Sequence, residues 1–270
     1  MSIDATAKIH PSAVIEEGAV IGANCKIGPF SLVGQDVTLG DDVELFSHVV
    51  VVGRTKIGNK TRIWPTASIG HQPQDLKYAG EITYLEIGSN CMIREGVTVN
   101  PGTKGGTGTT RIGDNCLLML GAHIGHDAQV GNRVILANQA SVAGHVTIGD
   151  DVIIGALSGI HQFVNVGKGA IIGAVVAVVN DVIPYGMAVS ERTNLGGLNL
   201  TGLKRRGVDK ATINELRASF SEIFEGDSTL KERAKNVRNR HIGNELILEV
   251  VDFLLADSAR SFLLPKSEDK

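Results

Sequence analysis

The 270-residue sequence has few aromatic residues, only three cysteines, no long apolar run and no excess of positive charge. Its net charge of −3 gives no electrostatic footprint for nucleic acid. No uninterrupted apolar stretch reaches the roughly 18 residues of a membrane-spanning helix, and residues 1–10 lack the apolar segment of a signal peptide. Aromatic residues make up 4%, which is typical of a narrow core with little room for rings. The composition therefore predicts a cytoplasmic protein that neither binds nucleic acid nor spans a membrane.

What the sequence has instead is an aliphatic residue at every sixth position. Within each of three runs no position is skipped, and neither the helix period nor the strand period produces such a spacing. The runs are Ile9, Ile15, Ile21, Ile27, Val33, Leu39, Leu45, Val51, Ile57, Ile63 and Ile69; Ile87, Ile93 and Val99; and Ile112, Leu118, Ile124, Val130, Leu136, Val142, Ile148, Ile154, Ile160, Val166, Ile172 and Val178. A fixed six-residue repeat is typical of a β-solenoid, whose stacked coils bury one continuous core.

The residue two before each aliphatic is mostly small or β-branched, which supports this interpretation. In a strand, residues two apart point to the same face, so each hexad buries one small and one larger side chain and then turns a corner. Glycine commonly follows the aliphatic, where a corner needs a compact residue. Cys25, Cys91 and Cys116 occupy the small inward position. We expect them to be buried hydrophobic residues, neither disulfides nor metal ligands.

The repeat is interrupted after Ile69 and after Val99, and it ends near Pro184. We expect two external loops, at about 71–86 and 100–111, because a solenoid accommodates insertions outside its coils. Helical patterning follows, with Asp209 as a candidate N-cap. The apolar stripes of two helices are Ile213, Leu216, Phe220, Ile223 and Phe224, then Ile247, Val250, Val251, Leu254 and Leu255. The sequence thus predicts a β-solenoid over residues 1–189 and an α-helical C-terminal domain over residues 190–270.

Four of the eight histidines lie within 39 residues. If one coil contains three hexads, Ile124, Val142 and Ile160 stack on one another, and the residues after them line one corner at about 4.8 Å per coil. The polar residues at or beside that corner include His123, His126, His145, His161 and Gln162. This stack is the best candidate site in the chain. Two alternatives stay open, namely corner histidines that only face solvent and a metal site formed by histidines on adjacent coils.

Other catalytic signatures fail. GALSG at 155–159 has its serine one place late for a nucleophile elbow, and GTKGGTG at 102–108 does not have the order of a P-loop. A site of paired carboxylates has no support either. The residues therefore favour a histidine general base that acts without a protein nucleophile.

Five motifs carry a resemblance to the hexapeptide-repeat acyltransferases, and within them to the branch that begins lipid A synthesis in Gram-negative bacteria. They are QDLKYAGE (74–81), AHIGHD (122–127), LAN followed by AGHV (136–146), HQF (161–163) and GLKRRG (202–207). The resemblance implies a left-handed parallel β-helix with an α-helical C-terminal domain, assembled as a homotrimer with sites between subunits. It implies transfer of a 3-hydroxyacyl group from acyl carrier protein to the 3-hydroxyl of UDP-N-acetylglucosamine, with no metal or cofactor.

The same resemblance implies roles for individual residues. His126 would be the general base, Asp127 would orient it, and the backbone N–H of Gly144 would stabilise the oxyanion. Substrate-binding roles would fall to Asp75, Lys77, His123, His145, His161 and Gln162, and at the nucleotide end to Asn199 and Arg205. A stop for the acyl chain is expected near Gly173 or Ala174.

A basic docking surface is also expected, because acyl carrier protein is acidic. The candidates are Lys204, Arg205, Arg206, Arg217 and Arg233. The alternative for each of them is an ordinary solvated helix face.

Other functions remain as alternatives. A different hexapeptide-repeat acyltransferase would use a CoA donor or an amino acceptor. A γ-type carbonic anhydrase would hold zinc on the histidines. A non-enzymatic solenoid scaffold would need no histidine stack.

Overall fold

The computed structural model describes residues 2–189 and 194–265 of the chain. Short strands wind into coils of three, so that three parallel sheets run along a solenoid. Each coil pairs with the next in register: Ile124 lies beside Val142, and Val142 beside Ile160. The predicted stacking of hexads is confirmed.

We name the sheets in the order in which the repeating coil visits them. The first has nine strands: Ser2–Ile3, Val20–Ile21, Thr38–Leu39, Arg54–Ile57, Tyr84–Ile87, Thr109–Ile112, Gln129–Val130, Thr147–Ile148 and Asn165–Val166. The second has eleven: Lys8–Ile9, Lys26–Ile27, Glu44–Leu45, Arg62–Ile63, Met92–Ile93, Leu117–Leu118, Ile135–Leu136, Ile153–Ile154, Ile171–Ile172, Gly186–Val189 and Asn194–Leu198. The third has nine: Val14–Ile15, Leu32–Val33, Val50–Val51, Ser68–Ile69, Thr98–Val99, His123–Ile124, Ser141–Val142, Gly159–Ile160 and Ala177–Val178.

The aliphatic ladders form the core. From Ile21 to Val178 the repeat aliphatics are buried, each contributing roughly 1.5–3 kcal/mol relative to an exposed side chain. Cys25, Cys91 and Cys116 are buried and unpaired, as predicted.

The histidine corner, between the third and first sheets, comprises residues 125–127, 143–145 and 161–163. Its backbone is laddered, because His145 N donates to His126 O at 2.9 Å and Phe163 N donates to Gly144 O at 3.3 Å. Asp127, His145 and Phe163 occupy equivalent positions with φ of 60°, 62° and 65°, a region that non-glycine residues adopt only where the surrounding structure holds them there.

Both insertions leave the solenoid on this same edge. The chain departs after Ile69 and returns at Tyr84, and it departs again after Val99 and returns at Thr109. The returning strands are four residues long, and Leu85 and Thr110 add two inward side chains to the core. The two external loops therefore lie beside the histidine corner.

The solenoid is followed by an antiparallel strand pair and four helices. Gly186–Val189 pairs with Asn194–Leu198, and the helices are α1 Leu200–Arg205, α2 Lys210–Phe224, α3 Leu230–Arg240 and α4 Glu245–Leu255. Asp209 caps α2 as predicted, accepting hydrogen bonds from Ala211 N and Thr212 N. The predicted mostly β fold, a left-handed parallel β-helix with C-terminal helices, is confirmed. The boundary expected between residues 189 and 190 adjoins residues 190–193, outside the described part of the chain, and stays a prediction.

No helix in the described part of the chain has the length and apolarity that crossing a membrane requires.

Candidate active site

His126 and Asp127 form a buried pair on the histidine corner. They are 8% and 1% exposed, and His126 Nδ1 lies 2.9 Å from Asp127 Oδ2. His126 is therefore not the solvent-facing corner histidine of the first alternative. Because an ionised carboxylate only accepts hydrogen bonds, this contact assigns the proton to Nδ1 and leaves the lone pair on Nε2.

The second external loop encloses the Asp127 carboxylate. Thr103 donates to it from its backbone N (3.0 Å) and its Oγ1 (2.6 Å), and Gly108 N donates at 3.0 Å. Burial alone would raise the pKa of Asp127, but the hydrogen bonds from Thr103 and His126 outweigh burial and hold the pKa below its ordinary value. Asp127 is thus ionised at neutral pH, as the orienting role requires.

Gly106 makes this enclosure possible. A Cβ at Gly106 would lie 2.3–2.5 Å from the carboxylate atoms of Asp127, so any side chain would push the loop off the carboxylate. A Cβ at the adjacent Gly105 would meet no atom within 4 Å.

We therefore expect Gly106→Ala to lower kcat about 10- to 100-fold, because displacing Asp127 misorients His126. Gly105→Ala is the matched control and should change kcat less than about 2-fold. Steady-state kinetics of both variants checks this. Equal losses in the two would show that loop backbone freedom, and not contact with Asp127, is what matters.

Gly144 lies one coil above His126. A Cβ there would be 2.6 Å from both Cε1 and Nε2 of His126, so only glycine leaves the imidazole in place. Gly144 N–H donates to no acceptor among the described residues, which leaves it available to an oxyanion. The sequence indicated the role of the Gly144 N–H as an oxyanion donor. It did not indicate that the imidazole leaves no room for a Cβ.

Two further rings continue the stack. His145 meets His126 edge-on with ring centroids 4.8 Å apart, and Phe163 stacks on His145 at 4.5 Å with the planes 3° apart. Burial lowers the pKa of His145 more than nearby Asp127 raises it. Phe163 was not among the expected site residues, although it lies at the position equivalent to His145 in the following coil.

A cavity of about 450 Å³ opens beside these rings and joins the two external loops to the corner. Its lining includes Asp75, Lys77, Glu81, Thr103, His145 and Phe163. The structure thus brings Asp75 and Lys77 to His145. Glu81, which ends the motif QDLKYAGE but had no expected role, accepts a hydrogen bond from Lys104 N and joins the loops.

His123 lies beside the corner, in the strand that leads into it. It belongs to a third-sheet strand and faces outward, with Nδ1 2.7 Å from Thr98 Oγ1. Burial lowers the pKa of His123, and the electrostatic effect of nearby His126 lowers it further. His161 and Gln162 are exposed on the next coil, where Arg260 contacts both.

Asn199 and Arg205 lie elsewhere, at the end of the solenoid. The Asn199 side chain is buried, caps α1 by accepting from Gly202 N, and donates to Gly169 O at 3.1 Å. Its polar atoms are therefore engaged in holding the helix, whereas Arg205 is exposed in the last turn of α1.

Gly173 and Ala174 lie on the corner between the second and third sheets, because they follow the strand Ile171–Ile172. One chain therefore carries the histidine corner and the expected acyl stop on different edges.

Known proteins resemble this chain along its whole length. Residues 181–263 match the family profile described as UDP N-acetylglucosamine O-acyltransferase, domain 2, and residues 1–35 and 109–144 match the bacterial transferase hexapeptide profile. A Rhizobium etli protein named acyl-[acyl-carrier-protein]–UDP-N-acetylglucosamine O-acyltransferase is 46% identical over 269 residues, 100% of this chain and 99% of its own length. The chain belongs to that acyltransferase family.

Solved structures of the family have the same fold. A UDP-N-acetylglucosamine acyltransferase from Campylobacter jejuni is 40% identical, with a TM-score of 0.91 over 96% of this chain and 100% of its own. The Arabidopsis enzyme is 31% identical, with a TM-score of 0.83 over 95% and 99%. The predictions that the chain is an enzyme and that it is an acyltransferase of the lipid A branch are confirmed.

In this acyltransferase the metal alternative fits the site poorly. Ligand atoms of His126, Asp127 and His145 lie within 4.8 Å of one another. However, both Asp127 oxygens already accept hydrogen bonds from Thr103, and Oδ2 also accepts one from His126. A metal ion would have to displace these buried donors, at a cost of about 1–3 kcal/mol for each one left unpaired.

Proposed function

We propose that this chain transfers a 3-hydroxyacyl group from acyl carrier protein to the 3-hydroxyl of UDP-N-acetylglucosamine, the first step of lipid A biosynthesis. The names of its relatives identify acyl carrier protein as the donor and UDP-N-acetylglucosamine as the acceptor. The observation that carries the chemistry is the buried His126–Asp127 pair, whose hydrogen bond leaves Nε2 as the base.

In the proposed reaction His126 Nε2 takes the proton of the sugar hydroxyl as its oxygen attacks the thioester carbon. Asp127 stabilises the imidazolium that forms. The carbonyl oxygen becomes an oxyanion, and Gly144 N–H donates to it. When the tetrahedral intermediate collapses, the C–S bond breaks and the thiolate of the carrier takes the proton from His126. The reaction needs no cofactor and no acyl-enzyme.

The acceptor binds, in this proposal, in the cavity beside the rings. Asp75 and Lys77 contact the nucleotide sugar, and His145 orients it, because all three line one cavity and the His145 ring lies against that of His126. His123, His161 and Gln162 complete the substrate contacts on either side.

At the nucleotide end we assign the direct contact to Arg205, whose exposed guanidinium can pair with a diphosphate. Asn199 acts there through α1, since it is the cap of that helix.

The proposed docking surface for the acidic carrier protein consists of Lys204, Arg205, Arg206 and Arg217, all exposed. Arg233 is less suited to it. Its Nε donates to Ile223 O at 2.7 Å and its Nη1 to Gly226 O, so it braces the turn between α2 and α3.

We propose a homotrimer whose sites lie between subunits. From the coil of Met92 to the end of the solenoid, the second-sheet residues that point outward are all apolar, and each is half-buried or exposed. They are Met92, Leu117, Ile135, Ile153, Ile171 and Met187. A continuous apolar stripe of this kind is typical of an association surface. Packing another copy against it also allows the Gly173 corner of one subunit to approach the histidine corner of another.

We further propose a cytoplasmic location, which fits three unpaired cysteines.

Ile153→Asp should convert the trimer to monomers, because the substitution buries an unpaired carboxylate in the stripe. Sedimentation velocity measures the mass. The control is Lys8→Asp, on the same face of the sheet but in the first coil, where the flanking outward residue Lys26 is also charged. A variant that sediments as a trimer, or a wild-type monomer with full activity, would overturn the proposed assembly.

Gly173→Leu should shorten the longest acyl chain that the enzyme accepts. A Cβ there fits, with its closest contact at 3.4 Å to Ala188 O, so the substitution does not clash at its first atom. In this proposal the rest of the leucine side chain takes space from the end of the acyl chain. We expect kcat/KM to fall about 10-fold or more for the longest donors and little for the shortest. An unchanged chain-length profile would remove Gly173 as the stop, and Ala174→Leu would then test its neighbour.

A panel of donors and acceptors tests the proposed function. Purified chain is assayed with 3-hydroxyacyl carrier proteins of several lengths, and with acetyl- and succinyl-CoA, against UDP-N-acetylglucosamine and its 3-amino analogue. We expect transfer from carrier protein to the 3-hydroxyl, insensitive to chelators. Transfer only from CoA, or only to the amine, would favour the other acyltransferases. If no donor is used and zinc co-purifies, the carbonic anhydrase alternative returns.

A further inference from the structure

The segment after α4 turns back onto the end of the solenoid. Asp181 N donates to Ser261 O at 2.8 Å, and Leu263 N donates to Asp181 O at 2.6 Å. Leu263 is 2% exposed, and Leu195 N donates to Leu264 O at 2.8 Å. Residues 258–264 are therefore fixed against the last coils by hydrogen bonds and by a buried side chain.

Arg260 extends from this segment to the histidine corner. Its Nη2 lies 3.0 Å from His161 Nδ1 and 3.1 Å from Gln162 O, 99 and 98 residues away in sequence. A guanidinium nitrogen only donates hydrogen bonds, and Nη2 has two hydrogens, one for each of these acceptors. His161 Nδ1 must then carry no proton.

The competing tautomer conflicts with the same contacts. His161 Nδ1 also lies 3.2 Å from Gln162 O, so a proton on Nδ1 could donate to that carbonyl. However, Arg260 Nη2 lies closer to Nδ1 than Gln162 O does. A proton on Nδ1 would therefore meet the hydrogens of the guanidinium. His161 Nδ1 and Gln162 O lie close together because both accept hydrogen bonds from the same atom, Arg260 Nη2. This assigns the proton of neutral His161 to Nε2.

A buried carboxylate holds the backbone of Arg260. Ser258 Oγ donates to Asp181 Oδ2 and accepts from Arg260 N at 3.1 Å. Asp181, 1% exposed, also accepts from Asn165 N at 2.7 Å and from Asn165 Nδ2 at 3.0 Å. The position of Arg260 is thus set by a network anchored in the last coils and does not depend on substrate.

We propose that Arg260 is a positioning residue, which holds His161 with Nε2–H as a hydrogen-bond donor to an oxygen of the acceptor substrate. The inference rests on the proposed substrate-binding role of the histidine corner. It adds a residue outside every motif that carried the resemblance, and it gives the C-terminal segment a part in the site.

The tautomer is measured first, by ¹⁵N NMR of the full chain labelled at histidine. We expect His161, assigned by its loss in His161→Ala, to have an unprotonated Nδ1 and a protonated Nε2. In Arg260→Met the two tautomers should mix. A proton on Nδ1 in the wild-type protein, or the same tautomer in both proteins, would overturn the proposal. The NMR measurement does not require enzymatic activity. Failure of this proposal can therefore be distinguished from failure of the proposed function.

Kinetics supplies the second test. Arg260→Met should lower kcat/KM about 10-fold, and Arg260→Lys should recover part of the loss because it keeps one donor. In a His161→Ala background Arg260→Met should add less than about 2-fold. Arg54→Met, an exposed arginine on the first sheet, is the charge-matched control. Full additivity with His161→Ala would show that Arg260 acts independently of His161. Thermal unfolding of each variant identifies losses due to misfolding.

Discussion

Replacing His126 with alanine should lower kcat about 10²- to 10⁴-fold, the range typical of removing a general base. The substitution removes the lone pair of Nε2 but leaves the Asp127 carboxylate with its donors from Thr103 and Gly108. We therefore expect a folded protein, with a free energy of unfolding lowered by about 1–2 kcal/mol for the lost buried hydrogen bond.

The matched control is His48→Ala. His48 also lies on a corner of the solenoid, with its ring 5.0 Å from that of Phe30, but it follows a second-sheet strand and is outside the candidate site. Steady-state kinetics and urea unfolding of both variants check the prediction. Activity of His126→Ala within about 10-fold of wild type would contradict the proposed base.

Asp127→Asn should lower kcat nearly as much as His126→Ala does, because asparagine changes which nitrogen of His126 carries the proton. With the asparagine oxygen in the place of Oδ1, it accepts from Thr103 N and Gly108 N, and its amide N–H is then directed at His126 Nδ1. That contact moves the imidazole proton to Nε2 and removes the base, so we expect kcat to fall about 10²- to 10⁴-fold. The opposite orientation keeps the tautomer but directs amide hydrogens at the buried donors of the loop, and it should loosen residues 103–108.

The same substitution should change stability in acid. The pKa of Asp127 is lower in the folded chain than in the unfolded one, so its contribution is full above the unfolded pKa near about 3.9 and is lost as the pH falls through the folded pKa. Wild type should therefore lose more stability than Asp127→Asn between neutral pH and about pH 3. The exposed Asp36→Asn is the control, measured by urea unfolding at each pH. A variant that keeps most of its activity, or the full acid dependence, would contradict the orienting role of Asp127.

The sequence predicted most of the fold because one short-range rule repeats. An aliphatic at every sixth residue determines what each strand buries and which residues stack, so Ile124, Val142 and Ile160 can be aligned by counting residues alone. The alignment of His126 with Gly144 follows from the same counting. The fit of Gly144 over the imidazole, with no room for a Cβ, depends on distances that a pattern does not contain.

The parts of the site that could not be predicted come from segments without a period. Nothing in GTKGGTG indicates that Thr103 donates to Asp127 or that Gly106 lies against it, because a loop's conformation depends on the surface it packs on. Nor does any periodic pattern indicate that the Asn199 side chain caps α1 and donates to Gly169 O. Arg260 meets His161 across 99 residues, a contact that only the return of the C-terminal segment creates.

The proposed mechanism depends on direct transfer from donor to acceptor, which a single-turnover measurement examines. Chain in excess is mixed with radiolabelled 3-hydroxyacyl carrier protein, quenched at millisecond intervals, and analysed for label on protein and on UDP-N-acetylglucosamine. We expect no label on the chain when acceptor is omitted, and with acceptor we expect product formation at the catalytic rate, unchanged by a chelator. Label that first accumulates on the chain and then passes to the sugar would contradict a His126 base acting on the acceptor hydroxyl.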